Sequence, residues 1–239
     1  MNFELTYKPY GDAAILIEWP AKIDELIILD IVAFEKKIQK EIPVLETIIA
    51  YNSLLIRYRE TISNINIQRK KLKELYLLHV NKEKQSQVLW QIPVCYDLSF
   101  GLDLVNLAKE KQLSVEQIIT LHSERSYFVY FIGFQPGFLY LGGLNPTIHI
   151  ARKSTPRLRV DKGSVGIGGG QTGIYPQHSS GGWNLIGKSP IDFFDIQKES
   201  PCFAKTGDRI QFFPIELETF YSIEKEVAAG SYTIKNKRL

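Results

Sequence analysis

The first ninety or so residues alternate between two periods. Residues 3–8 and the apolar run 13–19 (AAILIEW) read as strands joined by a Pro9-Tyr10-Gly11-Asp12 turn. Residues 24–40 switch to helical spacing, with Leu26, Leu29, Val32, Ala33 and Ile38 recurring and the charges gathered late on the other face. The pattern then repeats. Residues 45–51 and 54–59 form a second strand pair around Asn52-Ser53, and residues 62–80 are helical through Ile65, Leu72, Leu75, Tyr76 and Leu78. Residues 87–94 (QVLWQIPV) return to strand. A β-β-α-β-β-α-β order predicts an α+β layer with helices on one face of a mainly antiparallel sheet.

Beyond that point the pattern changes. Residues 102–112 and 114–123 read as short helices, the second opened by the Ser114/Gln117 spacing of a capping box. Helical periodicity then fades until about residue 216, and short aromatic or β-branched runs alternate with Gly and Pro: YFVYFIGF, SVGIGGG, IDFFDI, RIQFFPI and SYTI. Such runs predict a β-barrel or sandwich. The boundary is placed near residue 90, giving an α+β domain over 1–90 and a mainly-β domain over 91–239, without a low-complexity linker or an internal repeat.

Composition narrows the functional classes. The net charge of +3, from 29 basic and 26 acidic side chains, is too small for nucleic-acid binding without a concentrated patch. The basic run at 68–71 with Lys73 reads as a solvated helix face, and the basic tail from Lys235 to Arg238 as a frayed end. Cys95 and Cys202 are far apart and lack ligand spacing, so two free thiols in a reducing compartment are expected. No apolar stretch is long enough to span a membrane, and the Met-Asn-Phe-Glu-Leu-Thr start is not a signal peptide, so the cytoplasm is the expected location.

The segment GWNLIGKS, residues 182–189, fits the phosphate-binding pattern G-x-x-x-x-G-K-[ST]. Its context argues against that use. A loop precedes it, Trp-Asn-Leu-Ile is strand-like, and Pro190 follows where a helix should open. A strand from Trp183 to Gly187 between two turns is expected instead, with Lys188 meeting an anion as a lone charge. Glycine is dense over 131–190, which suits either tight corners or a polar cleft walled by backbone amides. The candidate contacts for such a cleft are Thr155, Arg157, Arg159, Gln171, Thr172, Tyr175 and His178. His122, at a helix end, is either a satisfied structural histidine or a general acid/base. His79 and His149 have no evident partner. Metalloprotease, α/β-hydrolase and zinc motifs are absent, and no metal is expected.

Taken in order, PVCYDLSFGLDL, LHS, YFIGFQPGFLYLGGL, STPRLRVDKGSVGIGGGQTGIYP and GGWNLIGKSP resemble the family of 5-oxoprolinase B subunits, also called KipI-like or allophanate hydrolase subunit 1. The resemblance covers essentially the whole chain and is densest over 90–215, with departures at Gly168-Gly169-Gly170 and Ser179-Ser180. It implies an N-terminal ferredoxin-like α+β domain and a C-terminal cyclophilin-like β-barrel. It also implies one component, acting with subunits C and A, of an enzyme that opens 5-oxo-L-proline to L-glutamate while hydrolysing ATP, with Mg2+. Related domains occur in urea carboxylase, where a small amide is carboxylated, and one relative inhibits a sensor histidine kinase. On this resemblance His122 and Arg157 are the expected catalytic residues, His122 as a proton shuttle and Arg157 as a source of positive charge. Gln171, Thr172, Tyr175 and Lys188 are the expected substrate- or nucleotide-binding residues.

Overall fold

The computed structural model describes residues 3–78 and 87–239 and divides into two compact units, Met1–Gln85 and Ser86–Leu239. His79 lies outside the described residues. The first unit contains β1 (Thr6–Pro9), β2 (Ala14–Glu18), α1 (Glu25–Glu41), β3 (Glu46–Ala50), β4 (Ser53–Arg57) and α2 (Ile65–Leu77). Its sheet runs in the order β1-β2-β4-β3 with every neighbouring pair antiparallel. Alternate residues of the central strands, Ile15, Ile17, Leu54 and Ile56, are fully buried, as a period of two requires. Asp24 caps α1 by accepting from the Leu26 N–H at 2.8 Å, and Asn64 caps α2 in the same way through the Asn66 N–H. The buried stripe of α1 is Ile27, Ile28, Ile31, Phe34 and Ile38, whereas Leu26, expected on that face, sits in the first turn and is exposed. Asp30 is buried on α1, where its carboxylate accepts from Trp19 Nε1 at 2.8 Å and from the Tyr76 hydroxyl at 2.7 Å.

The seventh expected element, residues 87–94, belongs to the other unit. As β5 (Val88–Val94) it runs parallel to a later strand, with Leu89 opposite Arg209 and Val94 opposite Pro214. Its second half is buried, with Ile92 and Val94 fully so, while Gln91 is exposed. The second unit continues with α3 (Leu104–Lys111), α4 (Val115–Ser123), β6 (Ser126–Ile132), β7 (Leu139–Gly142), β8 (Arg157–Val160) and β9 (Ser164–Gly168). It finishes with β10 (Gln171–Ile174), β11 (Ser179–Gly181), β12 (Asn184–Lys188), β13 (Arg209–Pro214), α5 (Leu217–Ala228) and β14 (Asn236–Arg238). Eight strands form a mixed sheet in the order β12-β9-β10-β7-β6-β13-β5-β14, and β8 pairs with β11 in a separate small sheet. A bridge between Cys95 and Lys188 connects the end of β5 to the end of β12. The inner faces of these strands and the apolar faces of α3 and α4 share one core, including Ile92, Tyr127, Val165, Ile186 and Phe212.

Two sequence expectations shift in detail. The IDFFDI run is irregular: Pro190 precedes it, and Asp195 turns the chain by accepting from the Gln197 N–H at 3.0 Å, although Phe193 is buried. The last strand forms at Asn236–Arg238 rather than at residues 231–234, because the free edge of β5 pairs there, while Tyr232 and Ile234 pack on the core.

Candidate functional site

An aromatic cleft of about 190 Å³ opens on the second unit. Phe134, Phe138, Tyr140, Tyr175 and Trp183 wall it, and Arg152 and Lys153 supply its cations. Phe138 is the hub, meeting Tyr140, Tyr175 and Trp183 edge-on at centroid distances of 5.1, 6.0 and 5.6 Å. The Arg152 guanidinium lies 5.7 Å above the Trp183 ring. Glycines make the space for these rings. A Cβ at Gly168 would lie 2.5 Å from the Trp183 indole, and one at Gly181 would overlap the Tyr175 hydroxyl. The density of glycine therefore follows, at these positions, from close packing against aromatic side chains. Phe134, two-thirds exposed, has a left-handed backbone (φ 64°), an uncommon conformation for a bulky residue.

Behind the cleft lies a carboxylate node. Asp103 precedes α3 and is 3% exposed. Its Oδ1 accepts from Lys153 Nζ and Arg157 Nη2, both at 2.8 Å, and its Oδ2 accepts from the Leu185 N–H at 2.7 Å. Burial alone would raise the carboxyl pKa. The hydrogen bonds from Arg157, Lys153 and Leu185 outweigh that cost and hold it below its usual range. Asp103 is thus ionised at neutral pH and fixes both cations. Arg157 Nη1 is buried without a hydrogen-bond partner, so the guanidinium has spare donor capacity.

Tyr175 is 3% exposed. Burial, the dominant influence, raises its pKa, against the lowering effect of a hydrogen bond from the Trp183 backbone. The phenol is protonated at neutral pH and retains its O–H as a donor.

His122 and Thr172 occupy the core instead. His122 is fully buried, with Nδ1 2.7 Å from the Tyr96 hydroxyl and Nε2 2.8 Å from Thr172 Oγ1. The Thr172 hydroxyl donates its own proton to the Gly166 carbonyl at 3.1 Å. The network therefore assigns the imidazole proton to Nε2, with Nδ1 accepting from Tyr96. Burial pushes the His122 pKa down to about 3, and the ring stacks on Phe212 with centroids 4.7 Å apart. A neutral imidazole with both nitrogens engaged describes the satisfied structural histidine.

The other candidates are dispersed. Gln171 opens β10 opposite Gly168 and is half-buried. Lys188 ends β12, its Nζ 5.4 and 5.9 Å from the Phe100 and Phe220 ring centres, and it lines a different cavity. Arg159 and His178 both pair with Asp161, at 3.4 and 3.2 Å, while Thr155 is exposed and lines neither cavity. His149 Nε2 is 3.1 Å from the Leu144 carbonyl. The GWNLIGKS segment is strand β12, and its Lys188 N–H donates to the Cys95 carbonyl at 2.9 Å, so that amide is not offered to phosphate. Among the described residues there is no cluster of His, Cys, Asp or Glu able to hold a metal, and no helix long and apolar enough to cross a membrane.

Of the sequence candidates, then, the structure sets Tyr175 in the cleft wall and Arg157 on the node behind it. Asp103, Arg152, Lys153 and Trp183 are not among the residues that sequence reasoning singles out. Asp103 and Trp183 do lie inside the family-like stretches PVCYDLSFGLDL and GGWNLIGKSP, which is the signal that could have found them.

This combination of a small α+β unit and a larger, mainly-β unit carrying the cleft has known counterparts. The chain belongs to the family of the carboxyltransferase domain, subdomain C and D, whose match extends over residues 5–204. Within it the chain falls in the family of 5-oxoprolinase B subunits. It is 37% identical to the 5-oxoprolinase B subunit of Haemophilus influenzae over 204 residues, which is 85% of this chain and 95% of that protein. It is 45% identical to the Bacillus subtilis protein of the same name over 136 residues, 57% of either chain. The urea carboxylase structure from Kluyveromyces lactis superposes with a TM-score of 0.78 over 99% of this chain and 24% of that one, at 19% identity, a likeness of fold alone.

Proposed function

We propose that this chain is the B subunit of an ATP-dependent 5-oxoprolinase, which opens 5-oxo-L-proline to L-glutamate, and that its aromatic cleft receives the lactam. The match between cleft and ligand carries the reading: a compact ring with one carboxylate suits a cavity of about 190 Å³ with ring-shaped walls and two cations. Arg152 and Lys153 take the carboxylate, and Phe138 and Trp183 hold the ring. The Tyr175 hydroxyl donates to the lactam. Asp103 keeps Lys153 and Arg157 in place, and the unpartnered Nη1 of Arg157 stabilises charge that develops on the lactam oxygen. This assigns His122 and Thr172 to support of the core rather than to the reaction.

A lactam is a poor electrophile, and ATP, with Mg2+, supplies activation of its carbonyl. Strand β12 does not fit a phosphate cradle, so no nucleotide step is assigned to this chain, and subunits C and A are the partners expected to complete the site. The same reading takes the segments before and after about residue 90 as two domains in a cytoplasmic protein. The first is ferredoxin-like: with β1 counted as the last strand, its order becomes 4-1-3-2, as in a β-α-β-β-α-β fold. The second is a cyclophilin-like barrel closed through the Cys95–Lys188 bridge.

The test is ADP release by this chain with its A and C partners, with and without 5-oxo-L-proline. Substrate-dependent release that needs all three proteins is the expected result. Its absence from a well-folded mixture would reject the reading.

A further inference from the structure

A second cavity, of about 360 Å³, lies where the end of β12 meets α5. Its floor depends on a close backbone approach. Gly163, with φ 82°, accepts from the Ser189 N–H at 2.8 Å, and any Cβ there would overlap the Ser189 carbonyl. Ser189 is therefore held firmly, and it is 2% exposed, yet its Oγ has no hydrogen-bond partner. A buried hydroxyl left without a partner is destabilising, so its retention in a residue that lines the cavity needs a reason.

The charges around the cavity supply one. Lys162 is neutralised by Asp192 at 2.6 Å, and His178 Nδ1 lies 3.2 Å from Asp161 Oδ1. Two opposite charges are left over. Lys188 sits over the Phe100 and Phe220 rings, and Glu224 lies one helical turn beyond Phe220 on α5, so both charges border the same face. Neither has an ion-pair partner among the described residues. Pro190, Ile191, Val227 and Ala228 add apolar wall to the same cavity.

We infer that this cavity binds a free α-amino acid with a small aliphatic side chain. Its carboxylate is taken by Lys188 Nζ and Ser189 Oγ, its ammonium by Glu224, and its side chain by Ile191 and Val227. A polyphosphate is disfavoured by the two carboxylates in the lining, and a plain anion or amine leaves one charge unmatched. The site is separate from the aromatic cleft and does not depend on the reaction proposed for it.

Calorimetric titration of the full chain with L-valine tests the inference, with 3-methylbutanoate lacking the ammonium, isobutylamine lacking the carboxylate, and L-glutamate carrying a charged side chain. L-valine is expected to bind, and each of the other three to bind about tenfold more weakly or less. Ser189→Ala, Lys188→Met and Glu224→Gln should each weaken L-valine about fivefold or more. Ser189→Ala should also raise the melting temperature of the ligand-free chain, since it removes the unsatisfied hydroxyl, and a residue kept only for packing would not combine that gain with lost affinity. No heat with L-valine would overturn the inference, as would equal binding of either one-charge analogue. L-glutamate binding as tightly as L-valine would overturn the assignment of an aliphatic side chain. The wild-type series alone decides the matter if a variant does not fold.

Discussion

The second unit contains two polar clusters, and they are built on opposite terms. Around His122, every donor meets an acceptor: Tyr96, both imidazole nitrogens, Thr172 and the Gly166 carbonyl form a closed chain of hydrogen bonds inside the core. Around Asp103 the chain stays open. The carboxylate is saturated by Lys153, Arg157 and the Leu185 N–H, but Arg157 keeps a buried nitrogen without a partner, and Lys153 reaches the cleft. A closed network stabilises and specifies a core, while unused donors beside a cavity are what a ligand can engage. By that criterion the histidine, the residue with the more familiar catalytic chemistry, sits in the closed cluster.

The largest effect should come from cutting the open cluster at its centre. Asp103→Ala leaves two cations and a backbone N–H without their acceptor and is expected to cost about 3 kcal/mol, the low end for a broken buried pair because Lys153 and Arg157 are partly exposed. Chemical denaturation would measure it, and a loss below about 1 kcal/mol would show that the node does not organise the cleft.

The closed cluster should reveal itself through pH. The His122 pKa is about 3 in the fold against 6.5 as an ordinary histidine, so between those values the unfolded chain binds a proton that the folded chain does not. Stability from this group is complete above about pH 6.5 and falls as the solution is acidified. Roughly 2–3 kcal/mol should be lost between pH 7 and pH 4.5. His122→Gln should flatten that stretch of the profile. An unchanged slope in the variant would assign the acid sensitivity to other groups.

Two smaller effects sharpen the contrast. Arg157→Ala in the three-subunit complex should reduce turnover roughly tenfold or more, since it removes the spare donor but leaves Lys153 on Asp103. Near-normal turnover would take Arg157 out of the site. Gly181→Ala places a methyl group against the Tyr175 hydroxyl, and should cost about 1 kcal/mol in stability while raising the KM for 5-oxo-L-proline a few-fold. An unaffected KM would remove Tyr175 from the lactam's surroundings.

How far the sequence reveals this depends on how local each signal is. The strand pairs, the capping box at Ser114 and the strand within GWNLIGKS all follow from neighbouring residues, and each stands in the structure. Residues 87–94 are legible as a strand, but nothing local says that β5 pairs with β13 some 120 residues later. The glycines of 163–182 have two readings, because a glycine that makes room for a ring and one that makes a turn look identical until Trp183 and Tyr175 are placed. Asp103 escapes notice for the same reason. An aspartate before a helix reads as a cap, and its three donors come from residues 50 to 82 positions away.

The most direct test of the contrast compares Arg152→Ala with His122→Gln in the reconstituted three-subunit enzyme, reading KM separately for 5-oxo-L-proline and for ATP. Arg152→Ala is expected to raise the KM for 5-oxo-L-proline about tenfold and to leave that for ATP unchanged, while His122→Gln moves neither by more than about twofold. If His122→Gln raises the KM for 5-oxo-L-proline and Arg152→Ala does not, the cleft and the core histidine have been assigned the wrong way round.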